Sequence, residues 1–86
     1  MPEICRFYGI IIQLYYGDHP PEHFHAVYGE HVAKIAIGTF EIIEGSLPHR
    51  ALRLVREWAR LHEHELRDAF DLASNFQRPA KIAPLP

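Results

Sequence analysis

The chain predicts an α+β domain: a four-stranded antiparallel β-meander packed against a long C-terminal α-helix. Three observations lead there. The first half is a series of β-branched and aromatic runs separated by glycine and proline turns. The second half carries an apolar stripe at helical spacing from Leu52 to Phe76, with no glycine or proline before Pro79. The two kinds of element are segregated along the chain, as a sheet covered on one face by a helix requires. At 86 residues there is one domain, spanning 1–86, with its sheet in 4–44, a helical part in 47–76 and an extended tail in 79–86.

Taken in order, Ile4 to Tyr16 reads as a long first strand, rich in Ile10, Ile11, Ile12, Leu14, Tyr15 and Tyr16. Gly9 inside it fits a bulge or a close backbone approach. The segment Gly17-Asp18-His19-Pro20-Pro21 ends the strand, because prolines cannot donate ladder hydrogen bonds. His23 to Tyr28 is the second strand; alternation puts His23, His25 and Val27 on one face and Phe24, Ala26 and Tyr28 on the other. Gly29-Glu30 turns into the third strand, His31 to Ile37, and Gly38-Thr39 has the glycine-first pattern of a type II′ hairpin leading to Phe40–Ile43.

Ser46 is a good helix N-cap and Pro48 suits the first turn. One helix from about Pro48 to Asn75 is expected, with two helices breaking at His62–His64 as the alternative. At 1.5 Å per residue, ~28 helical residues span roughly 42 Å, about twice the length of a ~6-residue strand. The excess should overhang onto a second subunit or fold back.

Composition narrows the classes of function. Nine basic and eleven acidic side chains leave a formal charge of −2, which argues against strong sequence-independent nucleic-acid binding. No apolar run approaches a membrane span, the N-terminus lacks the features of a secretory signal, and the single cysteine, Cys5, has no partner for an internal disulfide. A cytoplasmic protein is the simplest expectation.

Seven histidines are the distinctive feature. His23 and His25 lie two apart on a strand, so both imidazoles can reach one point, with His19 just across the Pro-Pro turn. Three imidazoles with an open fourth position could hold zinc, with the oxygens of Asp18 and Glu22 nearby. Alternatively, His23 and His25 could act as general acid and base in phosphodiester cleavage, with Arg6 or Tyr28 stabilising charge. The plainer reading is that such histidines bond the turn backbone and stack on tyrosines. On the helix, His49, Arg53, Arg56, Arg60 and Arg67 line one ridge that could track a nucleic-acid phosphate backbone or meet an acidic partner; interspersed acids make a salt-bridged face the favoured reading. Trp58 and His62 read as core packing and a satisfied buried histidine.

Several blocks resemble a small bacterial family, the domain of unknown function DUF4160. They are Arg6-Phe7-Tyr8-Gly9-Ile10, the run from Asp18 through His23-Phe24-His25-Ala26 to Tyr28-Gly29, Leu47-Pro48 with Arg50-Ala51-Leu52, and Glu57-Trp58-Ala59 with His62 and Glu65-Leu66. The resemblance covers nearly the whole chain, and the histidine block is its most specific part. It implies a free-standing domain, often encoded beside another small protein in the manner of two-gene toxin–antitoxin modules. It puts weight on His19, His23, His25, Tyr28, Arg6, Trp58 and His62 without assigning roles. In one departure, Ala33-Lys34-Ile35-Ala36-Ile37 is more apolar here than the family pattern.

The leading functional expectation is therefore a protein-interaction module, with a protein partner or a second copy of the chain docking at His19, His23, His25 and Tyr28. A histidine-dependent hydrolase or ribonuclease, metal-free or zinc-bound, is the alternative. If the histidines are accessible, replacing His23 and His25 together by alanine should leave folding largely intact.

Overall fold

The computed structural model describes residues 2–86. Five strands form one antiparallel sheet in sequential order: β1 (Glu3–Phe7), β2 (Ile10–Gln13), β3 (His23–Tyr28), β4 (His31–Ala36) and β5 (Ile42–Gly45). Two helices follow, α1 (His49–Leu61) and α2 (Glu63–Ser74). The α+β class and the meander are as expected, while the strand and helix counts each rise by one.

The extra strand arises at Tyr8-Gly9. Both residues have positive φ, 49° and 80°, the signature of a tight type I′ reversal. Phe7 then pairs with Ile10 and Cys5 with Ile12, so the expected first strand is a hairpin. Gly9 serves the turn instead of a bulge.

The β4–β5 connection also differs, because Gly38-Thr39 is not a two-residue hairpin. Residues 37–41 all lie between the strands, Phe40 has φ of 60°, and its N–H reaches the Ala36 carbonyl at 2.9 Å. The last strand therefore begins at Ile42, beyond Phe40.

Cross-strand partners share a face, which sorts the sheet into two sides. Cys5, Phe7, Ile10, Ile12, Phe24, Ala26, Ala33 and Ile35 lie on one side and are buried. Trp58 of α1 packs there against Phe7 and Phe24, with ring centroids 5.4 and 6.0 Å away. Ala51, Val55 and Ala59 of α1 and Leu66, Ala69, Phe70 and Ala73 of α2 complete the core. Alternation also accounts for the apolar run at 33–37: Ala33 and Ile35 face the core, while Lys34 and Ala36 point the other way.

The helical segment breaks at His62, whose φ and ψ are −121° and 27°. The chain measures 32 Å along its longest axis, too short for the roughly 42 Å of an unbroken helix. Folding back at His62 thus removes the overhang from which a dimer was expected. Ser46 does not cap α1: Pro48 holds the N-cap position with no side-chain bond, and the Ser46 N–H bonds the Val32 carbonyl.

The tail lies against the first strand. The Ile82 N–H bonds the Ile4 carbonyl at 2.9 Å, Trp58 Nε1 donates to the Ala83 carbonyl at 2.8 Å, and Ile82 and Leu85 are buried. The β1 edge of the sheet is thus met by the chain's own tail, whereas β5 pairs with β4 on one side only and is exposed from Ile43 to Gly45.

Candidate functional site

Strand alternation brings His23 and His25 to the same side of β3, as expected, but their surroundings differ. His23 is only 1% exposed, enclosed by the turn before it and by the Phe70 ring of α2 at 5.4 Å. Both of its nitrogens are partnered: Nδ1 donates to the Pro21 carbonyl at 2.6 Å, and Nε2 lies 2.6 Å from Asp18 Oδ2. A carbonyl can only accept, so Nδ1 carries a proton. Nε2 and Asp18 Oδ2 share a second proton across their short contact. The expectation that both histidines are accessible therefore fails at His23.

His25 lies half-buried beside this pair. Its ring stacks on Tyr15, with centroids 4.1 Å apart. Its Nε2 is buried without a hydrogen-bond partner, and Asp18 Oδ2 at 3.6 Å is beyond bonding distance. Asp18, His23 and His25 thus aim three donor atoms at one point, all within 4.8 Å of one another. Asp18 takes the place given to His19 by sequence; His19 is solvent-exposed, outside this group, and gives only its backbone N–H to Asp18 at 3.2 Å. The sequence put the Asp18 oxygens near the imidazoles; the turn that folds this carboxylate back onto β3 makes it a full member of the group in place of His19.

Burial raises the Asp18 carboxyl, but the hydrogen bond and charge of His23, the His19 N–H and the His25 contact together hold it below its ordinary value. Burial and the positive charge of His23 push His25 down, with Lys34 adding to the effect and Asp18 opposing it. Both shifts act in one direction. The unfolded chain protonates His25 as pH falls below about 6.5 while the folded ring resists, so stability declines from there; the Asp18 contribution is lost later, as pH falls through its depressed value below about 3.8. Melting temperatures of metal-free protein between pH 8 and 3 should show this decline. His25→Gln should flatten the upper part, and an unchanged profile in that variant would remove His25 as its origin.

The other candidate residues lie elsewhere. Arg6 is exposed on β1 and pairs with Glu3 at 2.8 Å. Tyr28 lines a separate cleft with Tyr8, Pro48, Arg50 and Leu54. Neither joins the histidines.

On the helices, Arg67 pairs with Glu63 and Glu22, as a salt-bridged face requires. Arg56 instead bonds the Phe40 carbonyl at 2.9 Å, and Arg60 lies over the Phe40 ring at 5.8 Å. Among the described residues no acidic side chain pairs with Arg53, Arg56 or Arg60, so the α1 part of the ridge is less neutralised than expected. His62 is half-buried, satisfied by Glu65 at 2.6 Å, with its ring 5.6 Å from that of Trp58.

Taken together, fold and site define a small two-layer α+β domain in which a buried β3 histidine, bonded to a partly exposed turn aspartate, lies beside an unpartnered imidazole. The family model described as "Domain of unknown function (DUF4160)" matches residues 9–71, and the chain belongs to that family. No curated protein and no solved structure matches it. Among the described residues, no helix is long and apolar enough to cross a membrane.

Proposed function

We propose that the chain is a protein-interaction module that docks a partner on the side of its sheet away from the helices. The observation carrying this reading is that face itself. Arg6, Ile11, Val27 and Val32 form one cross-strand row, and Gln13, His25, Lys34 and Glu44 form the next. Val32 is 48% exposed, and Ile43 on the adjoining edge strand is 40% exposed. Apolar side chains beside polar, orientable ones, running out to the free edge of β5, suit a partner that covers the face and adds backbone hydrogen bonds at β5. A toxin–antitoxin-like pair is the form of partnership the family resemblance suggests. The hydrolase reading is weaker, because it needs Arg6 or Tyr28 to converge with the histidines.

A photo-crosslinking residue placed at Val32 in cells should give one discrete protein adduct, which Val27→Glu abolishes without changing the melting temperature. The same probe at Asp71 on α2 should give none. An adduct of twice the chain's mass would make the partner a second copy. Absence of any adduct at position 32, or an adduct indifferent to Val27→Glu, would sink the proposal.

A further inference from the structure

Beyond the docking face, the geometry points to a divalent transition-metal site built from Asp18, His23 Nε2 and His25 Nε2. Two imidazoles and one carboxylate are the donor set that first-row metals such as zinc accept, with further positions left open. First-row ions hold N and O donors at about 2.0–2.2 Å, which places neighbouring donors roughly 3–3.5 Å apart. Here Asp18 Oδ2 is 2.6 Å from His23 Nε2 and 3.6 Å from His25 Nε2, so only small side-chain adjustments are needed.

Two further features are those of a metal site. A ligating histidine characteristically donates its other nitrogen to a backbone carbonyl or carboxylate, which fixes the ring and frees the ligating nitrogen. His23 does this through Nδ1 to Pro21, inside a wall that includes Phe70. The second feature is the orphan His25 Nε2, a buried polar atom without a bond in a ring held by Tyr15. Leaving such an atom unmade costs free energy that a metal bond would recover. On binding, the ion replaces the proton between His23 and Asp18, and that proton leaves to solvent. His19 and His31, both exposed, take no part.

The test uses the full chain, stripped with a chelator and titrated with zinc, read by imidazole-nitrogen NMR and by thermal melting. The expected result is saturation at one equivalent, with the His23 and His25 Nε2 signals moving together, those of His19 and His31 staying put, and the melting temperature rising. Asp18→Asn and His25→Gln should each weaken binding at least tenfold. Because both positions are partly exposed, these variants keep the test independent of the fully buried His23. Lack of saturation below millimolar zinc would overturn the site, as would binding that survives both substitutions, since that is capture by surface histidines. Neither outcome bears on the docking face, which is probed from Val32.

Discussion

Trp58→Ala is expected to lower stability by about 3–5 kcal/mol, the usual range for an aromatic truncation in a packed core. The indole is fully buried and bridges the layers, touching Phe7 and Phe24 on the sheet and His62 at the helix break. Its Nε1–H also holds the tail through the Ala83 carbonyl. The substitution therefore opens a cavity and releases the extended tail together. Urea unfolding should give the loss, and amide exchange should show the Ile82 N–H opening ahead of the sheet. Trp58→Phe, which fills most of the volume without the donor, should restore stability in part while leaving Ile82 unprotected. A near-neutral Trp58→Ala would mean that α1 does not use this face.

His23→Ala should follow, at about 2–3 kcal/mol, because it leaves the Pro21 carbonyl and Asp18 without their donor and a void beside Phe70. His25→Ala should cost under ~1 kcal/mol, since its Nε2 makes no bond to lose. The double variant should therefore lose at most about 1 kcal/mol more than His23→Ala alone. Equal losses for the two single variants in urea would contradict the division of roles.

The residues that deceived a linear reading did so for local reasons. The alternation His23-Phe24-His25-Ala26 placed β3 correctly, since a period of two is visible in any sequence. Burial is not: both histidines share a side, and only the folded turn and Phe70 enclose the first. The Tyr8-Gly9 reversal was hidden because a tyrosine at positive φ is uncommon and the flanking residues are apolar throughout. The break at His62, expected only as the alternative to one long helix, has no glycine or proline to announce it. It follows from the match between helix length and sheet size, a property of the assembled layers. Asp18 was legible only as a nearby oxygen, because its pairing with His23 depends on the Pro20-Pro21 turn bringing it back to a residue five positions later.

The break at His62 also sorts charge. Helix α1 holds four arginines and one glutamate, whereas α2 holds four acids and one arginine. A net charge of only −2 thus conceals an electric dipole running between two neighbouring helices. At low ionic strength such a field turns a small molecule during its diffusive approach, presenting α1 first to an anionic object and α2 first to a cationic one. Encounter orientation is therefore selected by the helices before any short-range contact forms, and added salt would erase that selection without altering the fold.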